Sequence, residues 1–249
     1  MSVTASDIVI YYCENKPTTD LTTAGGAIDS GVRATFTDIA ATDVVEISGA
    51  SASDTGVITI GGRNSAGIIV SEAITMSGLT LVSGSQSFER IISAYSDSTA
   101  NGNILIRDAS TDTTIGTIYA NESGFQRVFY DATANAAGGA DKTLYDKVFI
   151  KNNNTATALN NVTVTEVVTG LYNVVQFGLE NIKQSSETTL NRTNAPTGVS
   201  VFGSGASGLP QDGFLNPLDF QGVWLQLDLP NGASSQNSFY RLQVDGTTT

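Results

Sequence analysis

Apolar residues in this chain alternate with polar ones in short runs, and turn-forming residues separate those runs. In GVWLQLDLPNG at 222–232, the aliphatic side chains point to one side of an extended strand, while Trp224, Gln226 and Asp228 point to the other. No segment repeats its apolar residues at the period of an amphipathic helix. The pattern therefore predicts an all-β fold. The predicted strands cover 7–12, 42–48, 56–62, 68–76, 87–95, 102–108, 114–120, 145–153, 161–168, 173–179, 222–229 and 238–246.

The spacing of these runs predicts two β-sandwich modules of the Ig-like or jelly-roll type. The Ala/Gly-rich stretch at 131–141 separates two series of strands. We expect an N-terminal strand and arm over 1–42 that could pack on the C-terminal module, an inserted or N-terminal Ig-like sandwich over 43–120, and a second sandwich over 121–249. The strand at 7–12 could join either module. Within the first series, GRNSAG and STANGN are predicted to be hairpin turns.

A long segment between Glu180 and Gln221 contains Gly and Pro punctuation and few periodic apolar residues. A connection of this length inside a compact domain is typical of a functional loop, an arm or a segment that a partner orders. Within it, Gly203, Gly205 and Gly208 spell the G-x-G-x-x-G pattern. The residues LPQDGFLNP follow instead of a helix, so a flexible loop is favoured over a phosphate-binding turn.

The charge balance excludes several classes of partner. The 249 residues include 24 acidic and 12 basic residues, which gives a formal net charge of −12. A field of this sign repels phosphate backbones and anionic lipids, so we expect neither nucleic-acid nor membrane binding, whereas a basic protein surface remains possible. The N-terminus lacks a basic region followed by an apolar stretch, which predicts synthesis in the cytoplasm without an export signal.

The chain has no histidine, so the commonest general base and metal ligand is missing. Cys13 follows an apolar strand, which favours a small buried side chain over a nucleophile. Glu72, Glu89, Asp108 and Asp112 could supply a glycosidase-like pair of carboxylates, but acids scattered among turns are usually surface charges. We therefore expect no catalytic residue, cofactor or metal.

A second motif lies at Asp97–Asp108, where DSTANGNILIRD echoes the ligand positions of a calcium-binding EF-hand loop. An EF-hand requires flanking helices, and both flanks are predicted strands. A tight hairpin is favoured, with a calcium site as the alternative. Trp224, out of phase with its aliphatic neighbours, is either an exposed interface anchor or packed under a loop or the other module.

Three segments together resemble tailed-bacteriophage virion structural proteins. ASDIVIYYCENKP…AGGAID (5–29) resembles their opening strand and turn, and GFQRVFYDATANAAGGADKTLYDKVFIKNNNTATALNNVTVTEV (124–167) resembles their next block. GVWLQLDLPNGASSQNSFYRLQVDG (222–246) is similar to their closing hairpin. The intervening residues 44–120 look like the Ig-like modules that are common in phage head and tail proteins.

This resemblance implies a non-enzymatic virion component, namely a capsid decoration or cement protein that binds and stabilises the major capsid lattice. Such proteins often form symmetric oligomers, and the implied location is the capsid surface after synthesis in the host cytoplasm. Decoration proteins of the small trimeric type are usually shorter and single-domain. Because this chain has an extra module, the alternative is a neck, tail or head-fibre protein that binds a receptor or a glycan.

Attachment through an extended arm or a strand edge would suit such a protein, because main-chain hydrogen bonds and apolar anchors then supply the adhesion. Repetition on a lattice would multiply weak contacts. The candidate partner-binding residues are Ile8, Ile10, Tyr11, Tyr12, Phe202, Leu209, Phe214, Leu215 and Trp224.

Overall fold

A computed structural model describes residues 2–129, 140–168, 175–231 and 240–248. The described residues are nearly all β, which confirms the predicted all-β sandwich class. A 3-10 helix, Ala5–Asp7, precedes the first strand. The strands are β1 (Ile8–Asn15), β2 (Ala24–Arg33), β3 (Val45–Ser48), β4 (Val57–Arg63), β5 (Ile69–Thr75), β6 (Val82–Ser83), β7 (Arg90–Ser96), β8 (Ile104–Asp108), β9 (Thr114–Ile118), β10 (Gly124–Gln126), β11 (Lys142–Asn152), β12 (Asn160–Val168), β13 (Val175–Leu179), β14 (Thr188–Thr189), β15 (Ser207–Gly208), β16 (Phe220–Leu229) and β17 (Tyr240–Thr247).

The chain forms two compact units, and the second is inserted into the sequence of the first. The first unit comprises Met1–Asp29 and Asp131–Thr249, and the second comprises Ser30–Tyr130. The predicted arm over 1–42 is therefore divided between the two units. Its last residues belong to the second unit, because Ile39 packs in that unit's core and Asp38 pairs with Arg127 at 2.8 Å.

The first unit is built on a sheet with the strand order β13-β16-β11-β1-β2, where β2 contributes its first residues. The predicted strand at 7–12 lies in this unit, because β1 pairs antiparallel with β11 and places Tyr12 opposite Val148. A three-stranded sheet in the order β15-β12-β17 completes the described strands of this unit, apart from β14, which pairs with β2.

The second unit contains a sheet in the order β10-β7-β4-β5, which the last residues of β2 join through β10, and a second sheet in the order β6-β3-β8-β9. Its core is rich in isoleucine and contains Phe88 and Phe125, which are both fully buried. Ring stacking of Phe125 on Phe36, at 4.6 Å between centroids, extends this core. β-Branched side chains suit this packing because they fit the pleated faces of strands.

The two turn predictions in this unit had different outcomes. GRNSAG is a hairpin turn as predicted, because it joins the paired strands β4 and β5 and the Asn64 side chain accepts the Ala66 and Ile68 N–H groups. The prediction for STANGN is wrong. β7 pairs with β4 and β10, whereas β8 pairs with β3 and β9, so this segment crosses from one sheet of the unit to the other.

Within the described ranges, the structure contains no helix with the length and apolar character of a membrane span.

Candidate partner-binding surface

The long connection between β13 and β16 in the first unit, residues 180–219, is the strongest candidate for a functional site. We call it the 180–219 loop. Isolated bridges pair Glu180 with Val199 and Leu159 with Leu215 along its length. Its glycine motif is paired rather than flexible, because Gly203 exchanges two backbone hydrogen bonds of 3.0 Å with Phe177 and Gly208 belongs to β15. The sequence therefore predicted where the loop lies, but it did not predict that backbone pairing orders the loop.

A buried ion pair fastens the start of this loop to β11. Lys147 Nζ lies 2.6 Å from Glu180 Oε1, and the two side chains are 0% and 1% exposed. The ammonium also donates to the backbone carbonyls of Gly26, Ser185 and Glu187 at 3.1, 3.1 and 3.2 Å. A cation with this many acceptors holds the loop backbone as well as the carboxylate.

Burial lowers the pKa of Lys147 and raises the pKa of Glu180, while the attraction between the two groups opposes both shifts. The indole N–H of Trp224 donates to Glu180 Oε1 at 3.0 Å and favours the charged carboxylate. Removing water from an ion pair is costly, and such a pair persists only where other hydrogen bonds satisfy its members. The Trp224 indole, the Gly26 carbonyl of β2 and the loop carbonyls of Ser185 and Glu187 supply those bonds.

Arg192 is a second charged anchor, near the middle of the loop. It is fully buried, and its Nη2 lies 3.4 Å from Asp146 Oδ2, which is also fully buried. The same carboxylate oxygen accepts the Tyr12 hydroxyl at 2.8 Å. The Arg192 carbonyl in turn accepts the Tyr145 N–H at 2.8 Å, so charge and backbone together tie the loop to β11.

Although anchored by buried charges, the loop displays apolar side chains. Ile182, Val201, Phe214 and Leu218 are 41% to 74% exposed, and we call these four residues the apolar patch. A fifth apolar residue, Leu190, lies farther along the loop and is also exposed. Apolar side chains concentrated in one ordered loop, rather than scattered singly, are typical of an interaction surface.

Polar contacts bring the patch residues near one another. Asn181, which precedes Ile182, accepts the Ser200 hydroxyl at 2.6 Å, and Ser200 precedes Val201. On the other side of Ile182, Lys183 Nζ lies 2.9 Å from Asp212 and donates to the Phe214 carbonyl at 3.2 Å. The patch is therefore assembled from three parts of the loop.

Leu218 adopts the left-handed conformation, with φ at 65°. Holding a bulky residue in the left-handed backbone conformation costs about 1 kcal/mol or more of folding free energy. Its N–H donates to the Asn152 carbonyl at 2.9 Å, and the buried Asn152 amide donates to the carbonyls of Leu215 and Asn216 at 3.0 and 3.3 Å. Asn152 therefore fixes a strained backbone that presents an apolar side chain to solvent.

The candidate residues predicted from sequence lie in three different environments. Phe214 is exposed and belongs to the apolar patch, and Ile8, Ile10 and Phe202 are half-buried. The other five side chains pack inside the first unit, so they do not offer apolar surface to a partner in the folded chain. They are Tyr11, Tyr12, Leu209, Leu215 and Trp224.

Trp224 packs under the loop, the second of its two predicted environments. It forms a cluster with Ala24 and Tyr145, against which Val199 and Phe202 of the loop pack. Sequence reasoning missed Ile182, Val201 and Leu218 as candidates. The only available signal was their position in an aperiodic segment, because no period says which side chains of a loop face solvent.

Cys13 is fully buried, as the sequence predicted, and its thiol is suited to packing. Burial is the main reason that its pKa is raised to about 12. A thiol reacts through its thiolate. Burial therefore slows the reaction of Cys13 in two ways, because it keeps reagents away from the thiol and it disfavours ionisation of the thiol.

We expect Cys13 to react with a disulfide reagent such as DTNB at least about a hundredfold more slowly in the folded protein at pH 8 than in urea. Because Cys13 is the only cysteine, the absorbance change measures this site alone. Equal rates in the two states would contradict the buried placement.

The alternative motifs do not converge on a chemical site. In the calcium-like motif Asp97–Asp108, β7 ends at the preceding residue and β8 occupies the last five positions, and among the described residues no group of three or more potential ligands could hold a metal. Of the acids considered as a catalytic pair, Glu72 accepts hydrogen bonds from Ser85, while Asp112 pairs with Arg107.

Comparison with protein-family models, with curated proteins and with solved structures gives no match.

Proposed function

We propose that this chain is a non-enzymatic bacteriophage virion structural protein, a capsid decoration or cement protein that attaches to the major capsid lattice through the 180–219 loop. One observation carries the proposal: two buried ion pairs hold this loop in place, yet the loop presents the apolar patch to solvent. The resemblance of three segments to phage virion proteins gives the class of partner.

The arrangement suits attachment because the loop is ordered before it meets a partner. Binding by a flexible segment loses affinity to the cost of ordering its backbone and side chains, and a preorganised surface avoids most of that cost. Phe214 supplies an aromatic side chain of the kind that often contributes most to an interface. Identical copies on a lattice would add avidity to modest contacts.

Four buried charged groups of the first unit pair with one another, which supports a structural role for them rather than a catalytic one. Lys147 pairs with Glu180, and Asp146 pairs with Arg192. Each of these four groups therefore contributes to holding the loop. The net charge of −12 favours a partner surface that is neutral or basic.

The proposal is tested by binding to expanded capsid shells assembled from the major capsid protein encoded with this chain. The triple variant Ile182→Ser/Val201→Ser/Phe214→Ser should bind these shells about a hundredfold more weakly, because it removes the apolar anchors without touching the buried ion pairs. Co-sedimentation over a range of protein concentrations measures the change.

The matched control is Ile68→Ser/Ile69→Ser/Leu79→Ser in the second unit, where three apolar residues are similarly exposed. This control should bind as the wild type does. Equal binding by the patch variant and the wild type would reject the loop as the attachment surface. Binding to host cells or to glycans, without binding to shells, would instead support a receptor-binding neck, tail or fibre protein.

A further inference from the structure

Glu166 on β12 is a buried carboxylate without a hydrogen-bond partner among the described residues. The residue is 8% exposed, and neither of its carboxylate oxygens accepts a hydrogen bond from that part of the chain. Burial raises the pKa of this group. A buried carboxylate without a partner is costly to fold, so such a group indicates either a protonated acid or a cation supplied from outside.

A second unsatisfied polar group lies beside it. β12 and β17 pair antiparallel, with Glu166 opposite Leu242 and Val168 opposite Tyr240, so Tyr240 is a diagonal neighbour of Glu166 on the same face. The Tyr240 hydroxyl is buried and also lacks a hydrogen-bond partner within the described ranges. Negative charge on Glu166 contributes to raising the pKa of Tyr240, which is consistent with their proximity.

Two apolar residues share the face of β17 that these groups occupy. Leu242 and Val244, which lie on the same face of β17, are half-buried. Among the described strands, β17 lies at the end of the three-stranded sheet, with β12 and Glu166 next to it. The polar atoms of both groups are buried in the free chain, so a partner must displace the side chains that cover them at this edge. The site therefore combines unpaired acceptor oxygens, a hydroxyl and an apolar wall at the border of a sheet.

An arginine side chain matches this combination. Its guanidinium can donate to both oxygens of one carboxylate, and its aliphatic stem can pack on apolar side chains. A calcium or magnesium ion matches it less well, because these ions take six or more oxygen ligands, and no group of three potential ligands is present in the described ranges.

We propose that Glu166 and Tyr240 form a receptor site for an arginine side chain of a partner protein. The site shares no residue with the apolar patch, and it does not depend on the proposed capsid role. The excess of acidic residues in the chain favours approach of a basic partner surface. Binding is coupled to loss of the Glu166 proton, because only the carboxylate form pairs with the guanidinium.

The test uses the full chain and the peptide acetyl-Gly-Arg-Gly-amide as the probe. Calorimetry in two buffers of different ionisation enthalpy should show saturable binding, with more proton release at pH 5 than at pH 7.5. The matching citrulline peptide, which has similar shape and no charge, should bind at least tenfold more weakly. Glu166→Gln should bind the arginine peptide at least tenfold more weakly than the wild type. Tyr240→Phe should also bind this peptide more weakly, but by less than tenfold.

Asp245→Asn is the matched control, because it removes the same charge from an exposed side chain on the opposite face of β17. It should bind the arginine peptide as the wild type does. Equal affinity for the citrulline peptide, undiminished affinity in Glu166→Gln or an absence of saturable binding would each overturn the proposal. Glu166-dependent binding of calcium chloride in place of the peptide would also overturn it, in favour of a metal site.

The stability of the free protein gives a second readout. Because burial raises the Glu166 pKa, stability is lost as the pH rises from the ordinary glutamate value through the raised one. Tyr240 is the titratable group that faces Glu166 from β17, and Leu242 and Val244 carry no charge. Glu166→Gln should therefore match the wild type at pH 4 and have a higher urea midpoint at pH 7.5, whereas Asp245→Asn should show no such gain.

Discussion

Lys147→Met should destabilise the first unit by about 3–5 kcal/mol, since it leaves the Glu180 carboxylate buried without its cation. It also removes a donor from the carbonyls of Gly26, Ser185 and Glu187. Trp224 is the only tryptophan, so its fluorescence during urea unfolding reports this unit selectively.

The double variant Lys147→Met/Glu180→Gln distinguishes a lost ion pair from lost packing. Its amide is neutral and can still accept the Trp224 N–H, so at least half of the lost stability should return. If the double variant is less stable than Lys147→Met alone, the unpaired carboxylate is not the cause of the effect. Retention of wild-type stability by Lys147→Met would remove the ion pair as an anchor of the loop.

The second large effect is expected for Gly25→Ala, at about 3 kcal/mol of lost stability. Gly25 has φ at 92°, which L-residues rarely adopt, and an added Cβ would lie 2.5 Å from the Glu187 carbonyl oxygen and 2.7 Å from the Trp224 ring. Backbone strain and overcrowding each cost about 1–3 kcal/mol. Urea unfolding followed by Trp224 fluorescence measures the sum.

Gly213→Ala is the matched control, because Gly213 has φ at 74° and nothing lies within 4 Å of its added Cβ. Gly213→Ala should lose about 1 kcal/mol of stability, which is the cost of the strained backbone conformation without any crowding. Similar losses in the two variants would show that close packing of β2 against Trp224 and the loop does not matter. A larger loss in Gly25→Ala assigns the difference to those contacts.

The fold class was predictable because period-two alternation is local. The GRNSAG hairpin was predictable for the same reason, since its turn residues lie between the strands that pair. The STANGN turn was mispredicted because nothing local shows that the strands on its two sides join different sheets. The first domain boundary was missed because it falls inside β2, where no turn signal marks it.

For the candidate site, the sequence predicted the stretch of chain but not which residues anchor it or which face solvent. Asp146 and Lys147 in YDKVFIKN suggest a solvated strand face, yet both are fully buried. The cation that pairs with Asp146 is 46 residues away, and sequence spacing does not reveal such partners. Alternation likewise gave the side of the strand on which Trp224 lies but not the loop that covers it. Exposure of the patch residues depends on those same distant contacts.

The insertion of the second unit has a consequence for synthesis on the ribosome. The Tyr12 hydroxyl and the Asp146 carboxylate that accepts it are 134 residues apart in the chain, with the whole second unit encoded between them. The second unit can therefore fold during translation while β1 has β2 beside it but still lacks β11, its other neighbour in the sheet. One edge of β1 stays unpaired until β11 emerges, so the nascent N-terminal segment is exposed to misfolding through that edge during synthesis.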